Sequence, residues 1–197
     1  MPFNYVAGMT TVDRPRIVPA RLAHVVLRTE RFAELFEWWR NLLQADVVFE
    51  NGFLGFLTYD DEHHRIAIVQ PPGVEAAPPN TAGLDHVSFT YTGLADLVAT
   101  YERLAADGIR PAWVVNHGPT LSLYYADPDG NRAELQVDRF PTAQEATAFL
   151  KSRAFANHPV GHRVDFDDLV RRFHEGEDEA TLLAYRYDHE NAAEGRP

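Results

Sequence analysis

The sequence of 197 residues contains no cysteine. Disulfide bonds, thiolate zinc sites, iron–sulfur clusters and a cysteine nucleophile are therefore excluded. It also lacks an apolar run of about 18 residues, and its first residues lack a basic start followed by an apolar stretch, so we expect a cytoplasmic protein with no membrane partner. Basic residues are few: 18 Lys and Arg against 29 Asp and Glu give a net charge of -11, which argues against a nucleic-acid partner.

Histidine, by contrast, is well represented, with nine residues. If the protein binds a metal, the ligands must be imidazole and carboxylate groups, because no thiolate exists. Apolar residues make up 45% of the chain, enough for a packed core, and this excludes wholesale disorder.

The chain contains an internal repeat on the two sides of a Pro- and Gly-rich linker, residues 71–83. His24 is followed eight residues later by Phe32, and His86 is followed eight residues later by Leu94. From Phe32 and from Leu94 the apolar positions then run at the same offsets of 0, 3, 4, 7, 10 and 11, which is one face of an α-helix. We interpret the match as two copies of one structural unit.

Each copy is predicted to contain a strand, a helix and three more strands. The fold class is therefore α+β, with two βαβββ modules (21–70 and 84–138) that form one curved mixed sheet within a domain spanning 21–140. The strands are predicted near 21–28, 46–51, 53–59, 64–70, 84–91, 111–117, 121–126 and 132–138. Residues 127–131 (DPDGN) are predicted to form a hairpin turn and not a calcium loop.

The remaining residues flank this domain. Residues 1–20 form an N-terminal segment, and 141–197 form a helical extension to which the sequence assigns no function. Helices are predicted at 141–154 and at 165–175, the second with Asp165 as N-cap and Gly176 just past its end. The final twenty or so residues are polar and acidic and are expected to fray.

Strand alternation predicts where a metal could bind. The bulky apolar side chains of the first and last strands of each module should pack under the helices, which turns His24, His86 and Glu134 to the opposite face. Asp85, next to His86, falls on the helix side. Two imidazoles and one carboxylate with open positions are typical of non-haem Fe(II) oxygen chemistry.

Each of these residues also has an ordinary structural explanation, since a strand histidine is more often a hydrogen-bonded residue than a ligand. The equivalent repeat positions of His24 and His86 favour the metal site, because a pseudo-twofold axis would bring the two together. The repeat equivalent of Glu134 is Ala67, which cannot ligate and leaves space open.

The paired modules with these residues resemble the vicinal oxygen chelate superfamily, and within it the type I extradiol (catechol-cleaving) dioxygenases that have a single pair of modules. The resemblance covers about residues 20–140 and is most specific in HHRIA (63–67), LDHVSF (84–89) and NHGPTLSLYYADPDGNRAELQVD (116–138). It implies Fe(II), in preference to Mn or Zn, bound by His24, His86 and Glu134. The implied partners are a catechol-type substrate and O2, and pairing of such modules leaves a homo-oligomer open.

The resemblance also implies three catalytic residues. His64 matches the family's histidine beside the metal ligands, His117 matches a histidine that contacts substrate, and Tyr124 matches the active-site tyrosine. Without the resemblance, the His63–His64 pair would be interpreted as a solvated turn. By alternation one of Tyr124 and Tyr125 must face inward, and the resemblance selects Tyr124.

Two alternative functions stay open at this stage. One is another metal enzyme of the same fold, such as a glyoxalase-like isomerase or lyase or a thiol transferase, although such enzymes typically have a fourth protein ligand where this chain has Ala67. The other is a protein that sequesters a small molecule without a metal. Such proteins usually lack the metal ligands, whereas this chain has all three.

Overall fold

The computed structural model describes residues 16–78 and 81–186. Its strands are β1 (Val25–Arg28), β2 (Asp46–Glu50), β3 (Leu54–Thr58), β4 (Ile66–Val69), β5 (His86–Tyr91), β6 (Trp113–Asn116), β7 (Thr120–Ala126), β8 (Arg132–Asp138) and β9 (His162–Arg163). Its helices are α1 (Phe32–Leu43), α2 (Leu94–Ala106), α3 (Ala143–Leu150), α4 (Arg153–Asn157), α5 (Phe166–His174) and α6 (Glu179–Leu182). None of the helices in the described ranges is long and apolar enough to cross a membrane.

The strands pair as two sheets, one for each module. The first has the order β1-β4-β3-β2 and the second β5-β8-β7-β6-β9, with β1 parallel to β4 and β5 parallel to β8. The predicted α+β fold of two βαβββ modules is confirmed. Among the described residues no hydrogen-bonded ladder joins one module to the other, so the mixed sheet that the sequence predicts is divided into two.

The pairing register reproduces the internal repeat. In the first sheet Ala67 pairs with Val26 and Phe56, and at the equivalent place in the second sheet Glu134 pairs with Ser88 and Tyr124. Ala67 is therefore the structural equivalent of Glu134, as the sequence alignment of the two halves predicts.

One apolar core lies on the helix side of both sheets. The buried face of each helix has the predicted periodicity, with Phe32, Leu35, Phe36, Trp39 and Leu42 on α1 and Leu94, Leu97, Val98, Tyr101 and Leu104 on α2. Each such side chain contributes about 1.5–3 kcal/mol when it is buried. We call the opposite face of each sheet, away from α1 and α2, its open face.

The two modules are joined on the helix side. Trp39 Nε1 on α1 donates a hydrogen bond of 3.0 Å to Asp127 Oδ2 in the turn between β7 and β8. Arg103 Nη1 on α2 donates to the carbonyl oxygen of Asn41 at 2.9 Å, and the Trp39 and Phe89 rings meet with centroids 6.1 Å apart. Burial raises the pKa of the Asp127 carboxyl, while donated hydrogen bonds from Asn131 and Trp39 oppose the shift.

The DPDGN segment is a turn, as predicted. Asp127 Oδ1 accepts hydrogen bonds from the backbone N–H groups of Asp129 and Asn131 at 3.0 and 2.8 Å, and Gly130 adopts a φ of 83° that favours glycine. The Asp127 carboxylate thus holds the turn and the helix α1 together, which is a structural role.

Strand β1 is shorter than predicted and begins after His24. The guanidinium of Arg65 donates to the carbonyl oxygens of Leu22 and Ala23 at 2.6 and 3.0 Å. These carbonyls are therefore satisfied by a side chain and not by a neighbouring strand. His24 lies at the end of a segment that Arg65 holds in place.

The C-terminal extension departs most from the sequence prediction. The helix predicted at 141–154 is divided into α3 and α4, because Ser152 Oγ accepts the hydrogen bond of Phe155 N at 3.2 Å and caps a new helix. Helix α5 is confirmed with Asp165 as its N-cap and with Gly176 at a φ of 84°.

Two further elements of the extension are not predicted by the sequence. Strand β9 pairs with β6 and adds a fifth strand to the second sheet. Helix α6 lies in the stretch that the sequence predicts to fray, and Asn116 Nδ2 donates to Leu183 O beside it at 3.1 Å. Residues 187–197 of that stretch lie outside the described part of the chain, as do 1–15 of the predicted N-terminal segment.

Candidate metal and active site

The open face of the second sheet brings together two of the three predicted metal ligands. Parallel pairing of β5 with β8 places His86 and Glu134 side by side, with His86 Nε2 3.0 Å from Glu134 Oε2. The Glu134 residue is only 5% exposed. A carboxylate removed from water to this degree needs a compensating proton, cation or hydrogen-bond donors.

A second carboxylate sets the tautomer of His86. Asp85 Oδ2 lies 2.5 Å from His86 Nδ1, so Nδ1 carries the hydrogen and donates it, and Nε2 can present its lone pair to a cation bound beside Glu134. Strand β5 begins at His86, so the alternation from which Asp85 was predicted on the helix side does not extend to Asp85.

This arrangement fits a divalent cation. A nitrogen lone pair and a carboxylate oxygen repel each other at 3.0 Å unless a proton or a cation lies between them. Two donors at right angles, each about 2.1 Å from one cation, are about 3 Å apart. The Asp85–His86 contact also has the form of the carboxylate–histidine pairs that support metal-bound imidazole.

Tyr124 and His117 extend the cluster along β7. Tyr124 Oη donates to Glu134 Oε1 at 2.8 Å and lies 2.9 Å from His117 Nε2. His117 Nδ1 lies 2.6 Å from the carbonyl oxygen of Val160, and because a carbonyl only accepts, this nitrogen carries a hydrogen. The C-terminal extension therefore orients a predicted catalytic residue.

An apolar cavity adjoins this cluster. It has a volume of about 340 Å³, and its lining includes Trp113, Tyr124, Ala112 and Arg132. The Trp113 and Tyr124 rings pack with centroids 4.9 Å apart. The cavity offers an apolar wall next to the polar groups.

The first module holds a separate histidine cluster. The His24 and His64 rings lie with centroids 4.3 Å apart, and His64 stacks on Phe56 at 4.6 Å. Burial lowers the pKa of the His64 imidazole, and the neighbouring His24 and His63 act in the same direction. His63, which the sequence treats as a bystander, is in contact with His64, with their Nδ1 atoms 2.6 Å apart.

The six predicted site residues thus divide into two groups. His86, Glu134, Tyr124 and His117 lie together on the second module, and His24 and His64 lie together on the first. In residues 16–78 and 81–186, no three His, Asp or Glu side chains are arranged to hold a metal ion.

Sequence reasoning missed two contributors to the site, Asp85 and the Val160 carbonyl. An aspartate directly before a predicted histidine ligand is a signal that was present in the sequence. The Val160 carbonyl had none, because it lies 43 residues from His117 and any residue could supply it.

Comparison with known proteins identifies the family. A family model described as the glyoxalase/bleomycin resistance protein/dioxygenase superfamily matches residues 21–135. The chain belongs to this superfamily.

Two relatives from Rhodococcus globerulus refine the assignment. The chain is 44% identical to biphenyl-2,3-diol 1,2-dioxygenase 2 over 151 residues, which cover 76% of this chain and 78% of that protein. It is 41% identical to biphenyl-2,3-diol 1,2-dioxygenase 3 over 167 residues, covering 84% and 88%. The predicted resemblance to extradiol dioxygenases is confirmed, and so is the prediction of a ring-cleaving enzyme for catechol-type diols.

Solved structures agree with the fold. A glyoxalase/bleomycin resistance protein/dioxygenase domain from Frankia sp. EAN1pec aligns with a TM-score of 0.53 and 20% identity, covering 65% of this chain and 98% of that one. Lactoylglutathione lyase from Agrobacterium tumefaciens aligns with a TM-score of 0.50 and 19% identity, covering 60% and 94%. At these identities the likeness concerns the fold alone. The relatives imply a metal cofactor for this enzyme.

Proposed function

We propose that the protein cleaves the ring of a catechol-type diol next to its two hydroxyl groups, using Fe(II) and O2. The observation that carries the proposal is the pairing of His86 Nε2 with the buried Glu134 Oε2 at 3.0 Å. Imidazole and carboxylate donors with open positions suit Fe(II) oxygen chemistry better than the closed sites of structural zinc.

The proposed metal ligands are His24, His86 and Glu134. When bound, Fe(II) supplies a centre at which the diol and O2 are held together for oxidation. Asp85 keeps the lone pair of His86 on Nε2, and Tyr124 Oη holds the second oxygen of Glu134 at 2.8 Å. The carboxylate is therefore oriented with one oxygen free to ligate.

The proton transfers are assigned to His64, His117 and Tyr124. A catechol must lose a proton on binding, and cleavage of the O–O bond needs an acid. The lowered pKa of His64 keeps its imidazole neutral at neutral pH, ready to accept a proton. His117 Nε2, 2.9 Å from Tyr124 Oη, can exchange a proton with the phenol while Nδ1 stays bonded to Val160 O.

The proposed substrate is an aromatic diol with an apolar substituent, of which biphenyl-2,3-diol is the first to test. Support comes from the cavity of about 340 Å³ beside Tyr124, whose lining includes the Trp113 ring. The apolar lining of this cavity can pack against the substituent ring of the diol. The neighbouring polar side chains then contact the two hydroxyl groups.

The test is oxygen consumption by protein loaded anaerobically with Fe(II). We expect O2 uptake equimolar with biphenyl-2,3-diol and a coloured ring-opened product, with slower turnover of unsubstituted catechol. Protein loaded with Zn(II), which has no redox chemistry, is the matched control and should consume no O2. If protein with one Fe(II) per site turns over none of a broad panel of catechols, the proposed function is wrong.

A further inference from the structure

The C-terminal extension, described over residues 141–186, converges on one short segment of the second module. That segment, residues 116–118, lies at the end of β6 and carries His117. Strand β9 pairs with the end of β6. Beside α6, the carbonyl oxygen of Leu183 accepts a hydrogen bond of 3.1 Å from Asn116 Nδ2. Two separate parts of the extension therefore contact the residues around His117.

Helix α3 of the extension packs on the glycine that follows His117. A Cβ on Gly118 would overlap the Phe149 ring, so this ring lies directly against the Gly118 backbone. The guanidinium carbon of Arg139 lies 5.7 Å from the centroid of the Phe149 ring, and the Tyr185 ring meets it edge-on with centroids 5.4 Å apart. These ring contacts hold α3 against the end of the segment.

Gly161 allows the extension to reach the backbone of His117 itself. Its φ of 94° lies in the left-handed region that favours glycine. A Cβ at this position would overlap the carbonyl oxygen of Asn116 and would lie 2.8 Å from His117 Cα. Because these are backbone atoms, they cannot rotate out of the way as the end of a side chain can. The close approach of the extension therefore requires glycine at this position.

This approach places the carbonyl oxygen of Val160 2.6 Å from His117 Nδ1. The turn that contains the carbonyl is itself held, because Gly161 N and Tyr185 Oη both donate to the carbonyl oxygen of His158, at 3.1 and 3.2 Å. A carbonyl only accepts, so Nδ1 carries the hydrogen in this arrangement. The other ring nitrogen, Nε2, is then directed toward Tyr124 Oη at 2.9 Å.

The aromatic contacts of the His117 ring do not distinguish its two nitrogens in this way. The Trp113 and Tyr124 rings meet it edge-on, with centroids 5.7 and 6.0 Å away, and this packing restricts where the imidazole lies. The Tyr124 hydroxyl can donate or accept, so it is compatible with either tautomer. The Val160 carbonyl accepts only, and it therefore favours the tautomer with hydrogen on Nδ1.

We propose that the C-terminal extension positions His117 for catalysis and that Gly161 is the residue through which it acts. This rests on the proposed role of His117 in proton transfer. With the hydrogen held on Nδ1 by the Val160 carbonyl, Nε2 is the nitrogen that exchanges a proton with Tyr124 or with the substrate. Gly161 is a positioning residue, because it acts through the His117 imidazole.

The first test compares two glycine-to-alanine variants of the extension. Gly161→Ala adds a Cβ against the backbone of residues 116–117, whereas Gly176 has a similar φ of 84° and open space around a Cβ. Both variants strain the backbone, but only Gly161→Ala should displace the Val160 carbonyl. We expect Gly161→Ala to lower kcat by about 100-fold with iron content unchanged, the usual scale for a displaced reacting group, and Gly176→Ala to keep the wild-type kcat. Full kcat in Gly161→Ala, or equal losses in both folded variants, overturns the inference.

A double-mutant cycle shows whether the effect passes through His117. When His117→Ala is already present, adding Gly161→Ala should lower kcat by less than about 3-fold, because the side chain that Gly161 positions is absent. A second loss as large as the first would mean that Gly161 acts on the fold or on another group, and the inference would be wrong.

Nitrogen-15 NMR of the imidazole rings tests the positioning without any turnover. Full-length protein freed of paramagnetic metal is measured at about pH 8, where an ordinary imidazole is neutral. The His117 signals are identified by their absence in His117→Gln. We expect the hydrogen on Nδ1 in the wild type and in Gly176→Ala, and a mixture of the two tautomers in Gly161→Ala.

A wild-type His117 with its hydrogen on Nε2 alone overturns the inference, and this result needs no folded Gly161→Ala. A Gly161→Ala spectrum identical to that of the wild type overturns it as well. Wild-type protein that shows the expected tautomer but turns over no catechol would contradict the proposed function and leave the positioning of His117 supported.

Discussion

The two modules are built on one plan and differ in what their open faces carry. Both have a histidine at the same position, His24 and His86, and both pack an amphipathic helix against the other side of the sheet. Only the second module has a buried carboxylate next to its histidine, at the position where the first has Ala67. The comparison teaches that a repeated framework keeps a histidine at the same position in both copies while a carboxylate stands beside it in the second copy alone.

The largest expected effect comes from Glu134, where the modules differ most. Loss of an outer contact to a metal ligand costs about 10- to 100-fold in affinity or activity, so Glu134→Ala, which removes a proposed ligand itself, should cost more. Iron content and the rate of O2 uptake measure it. Ala67→Ser, at the equivalent place in the first module, is the control and should change the rate by less than about 3-fold, because a single small hydroxyl there replaces no ligand. Equal losses in both variants would contradict the assignment.

Tyr124 and its neighbour Tyr125 test the two faces of one strand. Tyr124→Phe removes the hydroxyl bonded to Glu134 and should lower kcat by about 100-fold with iron retained, the usual scale for a proton-handling group. Tyr125 is buried on the helix side, and its hydroxyl has no hydrogen-bond partner among the described residues. Tyr125→Phe should therefore keep full activity and be as stable as the wild type or slightly more so. Loss of kcat in Tyr125→Phe would show that the strand as a whole, and not the Tyr124 hydroxyl, is sensitive.

Asp85 offers a test of how the second histidine is held. By register its equivalent in the first module is Ala23, so only His86 has a carboxylate behind it. Asp85→Asn should weaken Fe(II) affinity by about 10-fold, measured by competition with a chelator, with the unfolding temperature unchanged. Asp46→Asn, an exposed carboxylate at the start of β2, is the control for loss of one negative charge. If both variants lose Fe(II) affinity equally, the loss comes from the change in net charge and not from the Asp85–His86 contact.

The smallest effect is expected at the joint between the modules. The variant Asp127→Asn replaces one accepting oxygen of the carboxylate with an NH2 group, which only donates. Trp39 Nε1 and Asn131 Nδ2 both donate to Asp127 Oδ2, so a donor loses its acceptor. A donor left unpaired costs about 1–3 kcal/mol, so the free energy of unfolding should fall by that amount. Iron binding should stay near the wild-type value, because no ligand lies in this turn. A large loss of iron would mean that the joint also sets the geometry of the site.

Much of the fold follows from local patterns. Periodicity and turn residues predict the helices α1 and α2, the strands of both modules and the turn at 127–131. Each of these signals lies within a segment of about a dozen residues. The ends of β1 and β5 do not follow in this way. The Arg65 side chain holds the backbone before β1, and the carboxylate of Asp85 turns toward His86, so both ends depend on side chains that periodicity ignores.

The extension shows the same limit more strongly. Helix α5 was predictable from its Asp165 cap and Gly176, which act locally. Strand β9 has two residues and exists because β6 offers it an unpaired edge. The hydrogen bond from His117 to the Val160 carbonyl depends on the pairing of β9 with β6. The identities of the residues do not predict it, because any residue could supply the carbonyl.

By itself, the sequence determined the repeated βαβββ plan, the side of each strand that carries polar groups, and the candidates His24, His86, Glu134, His64, His117 and Tyr124. It could do so because alternation and helical periodicity are properties of neighbouring residues. The tertiary structure alone decided which candidates meet, since contact between distant segments depends on how the strands of each module pair. Parallel pairing of β5 with β8 brings His86 within 3.0 Å of Glu134, and the first module places His24 against His64, so the candidates lie in two separate clusters.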